Sequence, residues 1–330
     1  MSHRRFADSR VAVIYGGLSQ ERDVSLISGA AVAQALEARG YQTHLLDAGH
    51  DLAERLLELK PDVVYNALHG TYGEDGRIQG LLDWMGIPYT GEGIRASLIA
   101  FDKGLAKSAY RQAKISVARD VLLSARDIEE LIDEVSNCSI EATDSLIRNK
   151  VPLTYPVFVK PTSEGSSVGV SRADTPAELG AALHALKHLD VLIEDLVVGP
   201  ELSVVCIGRT CLGSVEIEPV REFYDYEAKY GQAGTRYHVP PRLDASVVHE
   251  AEALGLAAHN ALGCQGVTRS DLIIGEGGPI VLETNTLPGM TPSSLVPKVA
   301  NHRGWSFEDL IEKILELATC ASDQEVNDAR

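Results

Sequence analysis

Residues Thr268 to Asn285 read Thr-Arg-Ser-Asp-Leu-Ile-Ile, then Gly-Glu-Gly-Gly, then Pro-Ile-Val-Leu-Glu-Thr-Asn. Two apolar runs of β character around a glycine-rich turn predict a hairpin. Side chains alternate faces along a strand, so Arg269 and Asp271 share one face, as do Glu283 and Asn285. A turn centred near Glu276 and Gly277 sets Asp271 opposite Glu283 and Arg269 opposite Asn285, leaving Leu272, Ile274, Val281 and Leu282 to pack elsewhere. Two carboxylates, an amide oxygen and a guanidinium on one surface suit a hard cation beside phosphates. The same residues also fit an edge hairpin with a salt-bridged outer face, and a slip of one residue would separate the carboxylates.

Other stretches carry complementary chemistry. Tyr155 to Lys160 predicts a strand ending in lysine, followed by the Ser/Gly-rich loop Thr162 to Val170. Such a loop can wrap phosphates with backbone N–H groups while the lysine supplies fixed charge, or it can be a flexible turn. It is not a Walker A sequence. Glu21 falls in the first turn of an expected helix, either as part of a site or as an ordinary favourable carboxylate there. The segment His69 to Gly76 is a glycine-rich loop that carries an imidazole and two carboxylates. A connecting strand with Glu194 near one end and Glu201 at the other could hold a base and a ribose, or simply expose two acids. Phe223 to Tyr230 is an aromatic, charged run of the kind a substrate lid uses. Leu287 to Leu295 ends in hydroxyls near a helix start, a plausible anion corner.

The elements that must position these residues follow from periodicity. Val11 to Tyr15 is a continuous apolar run, as in a strand buried on both faces. A helix follows with Val24, Ile27, Ala31 and Ala35 on one face. Tyr41–Leu46 predicts a strand, Asp51–Lys60 a helix and Asp62–Leu68 a third strand, so this βαβαβ order implies a parallel sheet. Ligands on such sheets sit at the carboxyl ends of strands, which directs attention to Gly16–Arg22 and His69–Arg77. The lone Gly16-Gly17 pair does not make a dinucleotide fingerprint. Met85 to Gly93 predicts a short last strand, with Ser97, Leu98, Phe101 and Leu105 helically spaced after it. Asp127 to Lys150 is polar without sustained periodicity and is read as variable helix and loop. Val191–Val197 and Leu202–Ile207 predict strands, and Ala245–Leu262 and Ser306–Ala318 helices.

Composition bounds the partners. The chain has 330 residues, 45% hydrophobic and 23% charged, enough for two or three domains with real cores. A formal net charge of −17 argues against nucleic acid or an anionic membrane as the main partner. Five cysteines without CxxC or Cys/His ligand spacing fit reduced thiols. The N-terminus carries no signal-peptide pattern and no stretch approaches a membrane span of ~18 apolar residues, so a soluble cytoplasmic protein is expected.

Taken together, Gly16–Ser25, Leu68-His-Gly70, Gly73–Gly76, Pro88–Gly91, Val159-Lys-Pro161, Glu164–Gly169, Phe223–Tyr230, Arg269-Ser-Asp271, Leu282–Asn285, Pro288–Thr291 and Ser294–Pro297 resemble the D-alanine–D-alanine ligases. The resemblance runs in order from about residue 11 to 318. It implies a three-domain α/β ATP-grasp fold with a parallel-sheet N-terminal domain over 1–102, a central domain over 103–195 with a phosphate loop at 160–170, and a C-terminal domain over 196–330 with a lid at 223–237. ATP would phosphorylate one D-alanine, and the amine of a second would attack the acyl phosphate. By this resemblance Glu21 binds the first ammonium with His69 beside it, and Lys103, Lys160 and Lys229 contact phosphates. Ser166 closes the site with Glu21 and Tyr230, and Glu194 and Glu201 take adenine and ribose. Arg269 stabilises the oxyanion, and Asp271, Glu283 and Asn285 hold Mg²⁺ or Mn²⁺, with two ions expected. Gly289, Ser294 and Leu295 receive the second D-alanine carboxylate.

Family members that make the dipeptide carry tyrosine at the position of Tyr230, whereas many that make D-alanyl-D-lactate carry phenylalanine, so the dipeptide is expected here. Asp195-Leu196 departs from relatives that have a lysine and an aromatic residue beside the adenine. The resemblance further implies a homodimer and no nucleic-acid or membrane partner. Another ATP-grasp ligase of D-Ala-D-X type is the alternative enzyme, and a nucleotide-binding regulator with a dead site the alternative class. The latter would be expected to lack Arg269 or a metal ligand, and all are present.

Overall fold

The computed structural model describes residues 4–136, 138–163, 169–219 and 234–320. Ser166, Lys229 and Tyr230 lie outside these residues, as do the centre of the 160–170 loop and most of the 223–237 segment. The chain forms a mixed α/β structure around three sheets.

The first sheet is parallel, in the order β2 (Gln42–Asp47), β1 (Arg10–Tyr15), β3 (Val63–Asn66), with α1 (Arg22–Ala38), α2 (Leu52–Leu59) and α3 (Arg77–Met85) around it. Val11, Ala12, Val13 and Ile14 have no solvent exposure. Val11 and Val13 pack with Val32 and Leu36 of α1, while Ala12 and Ile14 pack with Leu52, Leu56, Ile78 and Leu82. Burial on both faces is why the run has no alternation, and each buried Val or Ile in it contributes roughly 1.5–3 kcal/mol. The buried face of α1 is not the expected one: Ser25, Ser28, Gly29, Val32, Ala33, Ala35 and Leu36 point inward, and Ile27 is 59% exposed. The helix is rotated because Gly29 lies against Tyr15, where an added Cβ would come within 2.3 Å of the Tyr15 Cβ. The third strand is shorter than expected, and the expected strand after Met85 is reduced to two isolated bridges of Tyr89, parallel with Val64 and antiparallel with Thr319.

Next come α4 (Ile94–Phe101) and α5 (Lys103–Gln112), broken at Asp102, whose backbone is extended and whose side-chain carboxylate caps α5 by accepting the Leu105 N–H at 2.8 Å. The inward side chains here are Ala96, Ala100, Ala106 and Tyr110, while Leu98 and Leu105 are exposed. The second sheet is antiparallel, in the order β4 (Asp120–Leu123), β7 (Val191–Asp195), β5 (Val157–Pro161), β6 (Ser171–Ala173). Its core includes α8 (Pro176–Ala185) and two helices the polar composition obscured, α6 (Ala125–Val135) and α7 (Ile140–Lys150). Ser124 and Asp127 form a capping box at α6, and Ile128 and Leu131 are its buried anchors.

The third sheet has the order β10 (Arg236–His238), β9 (Thr210–Glu218), β8 (Glu201–Ile207), β11 (Val267–Gly275), β12 (Gly278–Asn285). One face packs on α9 (Ala245–Leu262) and α5, through Tyr110, Leu202, Val204, Ala258, Leu272 and Val281. The other face packs with α10 (Leu295–His302) and α11 (Phe307–Glu316) in the cluster that also holds Val11, Val13 and Leu36 of the first sheet.

Candidate active site

The hairpin of β11 and β12 has the register its sequence implies: Arg269 pairs with Asn285, Asp271 with Glu283, and Gly275 with Gly278. A bulge follows, since Leu272 pairs with Val281 and leaves Leu282 as the extra residue. The bulge turns Leu282 into the cleft beside Glu283, so it does not pack in the core as alternation alone predicts. On the far face a buried hydroxyl chain fixes the pair: Tyr110 donates to Thr284 Oγ1 at 2.8 Å, and Ser270 and Thr284 meet at 2.8 Å. Arg269, Asp271, Glu283 and Asn285 therefore all face a cleft of about 1340 Å³ between the second and third sheets.

Within that cleft Arg269 clamps Asp271, with Nε donating to Oδ1 at 2.9 Å and Nη2 to Oδ2 at 2.7 Å. Ser203 of β8, which sequence reasoning missed, donates to Asp271 Oδ1 at 2.5 Å. The Asn285 side-chain oxygen accepts the Leu287 N–H at 2.9 Å and keeps a second lone pair. Carboxylate and amide oxygens with no sulfur or nitrogen among them form a hard donor set that fits Mg²⁺ or Mn²⁺.

The opposite wall carries the lysines. Lys160 on β5 and Lys103 at the start of α5 both line the cleft. They are brought together because the Lys103 N–H donates to the Thr162 carbonyl at 2.9 Å and Ser163 Oγ donates to Asp102 at 3.0 Å. Glu194 is not at the surface of the cleft: it is 2% exposed and forms ion pairs with Lys160 and with Lys107, the latter at 2.6 Å. Burial opposes both charges of the Lys160–Glu194 pair, but mutual attraction, helped by Lys107, outweighs it, so Lys160 is raised and Glu194 is held down to about 2. The geometry assigns Glu194 to holding Lys160 rather than to reaching a base. Lys107 was also missed, because one lysine in an amphipathic helix carries no sequence signal. Glu201 lines the cleft, beside an apolar end made by Phe158, Leu196, Val197, Ile273 and Leu282. Asp195 turns away to pair with Arg119 at 2.6 Å, which leaves Leu196 as the residue presented there.

The floor comes from the first sheet. Glu21 is the residue preceding α1 rather than a member of its first turn. Ser19 joins the two post-strand loops, donating to the His69 carbonyl at 2.7 Å. Gly70, at φ +67°, lies so close to Glu21 that a Cβ would meet Oε2 at 2.5 Å. His69 is 7% exposed, with Nε2 at 3.2 Å from Ser28 Oγ and Nδ1 at 3.7 Å from Glu74. Beside this floor, Ser294 stands at the N-terminal boundary of α10 without a side-chain bond to the helix, and its Oγ instead accepts the Thr291 N–H at 3.1 Å and meets Thr291 Oγ1 at 2.8 Å, with Gly289 adjacent. Gly289, Ser294, Leu295 and Val296 line the cleft at the start of α10, where the unpaired N–H groups of a helix start suit an anion. The structure brings together Glu21, His69, Lys103, Lys160, Glu201, Arg269, Asp271, Glu283, Asn285, Gly289, Ser294 and Leu295, and leaves Glu194 behind Lys160.

Family models described as D-ala D-ala ligase C-terminus and D-ala D-ala ligase N-terminus match residues 132–316 and 47–92. The D-alanine–D-alanine ligase of Anaeromyxobacter dehalogenans strain 2CP-1 is 45% identical over 310 residues, which are 93% of this chain and 96% of that one. The ligase of Bacillus anthracis complexed with ATP superposes with a TM-score of 0.77 at 30% identity, covering 98% of this chain and 99% of its own. The VanG D-Ala:D-Ser ligase of Enterococcus faecalis gives 0.76 at 28% identity, covering 94% and 99%.

Proposed function

The chain belongs to the D-alanine–D-alanine ligase family, with its ATP-grasp fold, and from that premise we propose how this cleft joins two D-alanines at the expense of ATP. The product, D-alanyl-D-alanine, is a precursor of peptidoglycan. A carboxylate resists attack by an amine until one of its oxygens becomes part of a leaving group. The first D-alanine carboxylate takes the γ-phosphoryl group, releasing ADP. The amine of the second attacks the carbonyl carbon, and the tetrahedral intermediate collapses with loss of phosphate. Catalysis is chiefly positioning and charge neutralisation.

In this reading Glu21 receives the ammonium of the first D-alanine, with His69 alongside. Lys103 and Lys160, with Lys229 from the lid, neutralise phosphate oxygens, and Glu194 with Lys107 keeps Lys160 in place. Glu201 takes the ribose, and the apolar slot of Phe158, Leu196 and Leu282 takes the adenine. Arg269 stabilises the oxyanion. Gly289, Ser294 and Leu295 hold the second carboxylate at the start of α10, and Ser166 and Tyr230 close the site with Glu21. Asp271, Glu283 and Asn285 would hold Mg²⁺ or Mn²⁺, two ions being expected, which supply charge neutralisation on the phosphates when bound. The observation that carries the reading is the convergence of Arg269, Asp271, Glu283 and Asn285 on one face, opposite Lys103 and Lys160.

The domain limits proposed are 1–102, 103–195 and 196–330, which place one sheet in each domain. A cytoplasmic homodimer is the proposed state; among the described residues no helix is long and apolar enough to cross a membrane. The test is phosphate release with ATP, Mg²⁺ and a panel of second substrates. D-alanine is expected to be turned over well and D-lactate poorly near neutral pH. Preference for D-serine or D-lactate over D-alanine would move the chain to the D-Ala-D-X reading.

A further inference from the structure

Away from the cleft, three side chains of different chemistry converge in the interior. Glu92 precedes α4, His259 lies in the last turn of α9, and Cys264 follows the left-handed Gly263 that ends that helix. They are 2%, 0% and 6% exposed. A carboxylate oxygen of Glu92, a ring nitrogen of His259 and the Cys264 sulfur all lie within 4.8 Å of one another. His259 Nδ1 is engaged at 2.7 Å with Thr268 Oγ1, while Nε2, fully buried, makes no well-formed hydrogen bond. The backbone carbonyls of Gly208 and Cys264 are the groups beside the ring, so Nε2 is poorly rather than fully satisfied, and a buried ring nitrogen in that state calls for an explanation. Glu92 accepts the N–H groups of Gln265 at 2.6 Å and Gly266 at 2.9 Å, and each oxygen retains a lone pair.

We propose that Glu92, His259 and Cys264 form a binding site for one borderline divalent cation of the Zn²⁺ or Co²⁺ type, separate from the oxygen donors of the cleft. Tetrahedral bonds of about 2.0–2.3 Å set neighbouring donors about 3.3–3.7 Å apart, so side-chain shifts of about 1 Å close the set. A thiolate, a carboxylate and a neutral imidazole around a dication sum to no net charge, as a buried site requires. The contact of Nδ1 with Thr268 is the kind of second interaction that orients a ligating ring through its other nitrogen. The fourth position falls to water. Because Glu92 belongs to the segment entering α4 and Cys264 to the turn entering β11, the cation would staple the first part of the chain to the strand carrying Arg269 and Asp271. Sulfur and nitrogen donors select against Mg²⁺, which keeps the two sites chemically distinct.

The test uses full-length protein produced in cobalt-supplemented medium and washed with a large excess of Mg²⁺, which occupies oxygen-only sites. One Co²⁺ per chain is expected to remain, with a thiolate-to-cobalt charge-transfer band. Cys264→Ser should abolish the band. Glu92→Gln, which keeps the side-chain size, should weaken Co²⁺ binding at least tenfold and remove the rise in Tm that Zn²⁺ gives the unaltered protein. Should Cys264→Ser fail to fold, Glu92→Gln and the unaltered protein still decide. No retained Co²⁺, retained Co²⁺ without the band, or a band that survives Cys264→Ser overturns the proposal.

Discussion

Arg269 and Asp271 satisfy each other through two hydrogen bonds, and Ser203 adds a third to Asp271. Asp271 would hold a divalent cation together with Glu283 and Asn285, and Arg269, fixed beside it, lies on the same face for the developing negative charge. Glu283 has no equivalent among its near sequence neighbours, so Glu283→Gln should lower kcat on the order of 10²–10³ with an unchanged circular dichroism spectrum. Unchanged activity would refute its metal role. Ser203→Ala should raise the Mg²⁺ concentration needed for half-maximal rate roughly tenfold, because it loosens a ligand without removing it. Glu194 makes a different kind of prediction. Its folded pKa lies below the ordinary 4.5, at about 2, so its stabilisation is complete above 4.5 and is lost as pH falls through 2. Chemical denaturation across that window should show a loss on the order of 3 kcal/mol, which Glu194→Gln abolishes from the profile. The four hairpin residues were legible because a two-residue period and a glycine turn fix register. Ser203 and Lys107 were not, since only the pairing of β8 with β11 and the packing of α5 on the second sheet give them partners.

At the scale of elements, alternation and turn chemistry read well where a strand is regular and failed where packing intervened. The bulge after Asp271 sent Leu282 into the cleft, and no local propensity marks it. The rotation of α1 depends on one close approach. Gly29→Ala, which in an open helix would stabilise by about 0.5–1 kcal/mol, should here destabilise, because its Cβ meets Tyr15. A rise in Tm would contradict that packing. From its sequence α6 reads only as part of a variable helix and loop, because its five acidic residues match its five apolar ones in number, yet Ile128 has no exposure. Ile128→Ala should cost about 2–5 kcal/mol in denaturant unfolding. The position of Lys103 likewise depends on elements: its N–H is tied to Thr162, so α5 and β5 keep the two lysines of the cleft wall in step.

At the scale of the whole molecule, the cleft is shaped by chain segments far apart in sequence. The cluster that buries Val11 and Val13 also buries Val299, Leu310 and Ile314, so the first sheet and the last two helices are packed as one body around the floor of the site. That closure sets Glu21 and His69 near Ser294, as a reaction between two small substrates demands. A sequence read in order gives the pieces of such a floor but not their meeting, which rests on contacts between residues more than two hundred positions apart, such as Tyr41 with Glu312 at 2.9 Å. The central claim is that this cleft activates a carboxylate as an acyl phosphate. Supplying D-alanine labelled with ¹⁸O in its carboxylate, together with ATP and Mg²⁺, tests it most directly. The account predicts that one labelled oxygen leaves with the inorganic phosphate, because the bond broken on collapse joins the carbonyl carbon to that oxygen. Dipeptide formed with no label in the phosphate would contradict it.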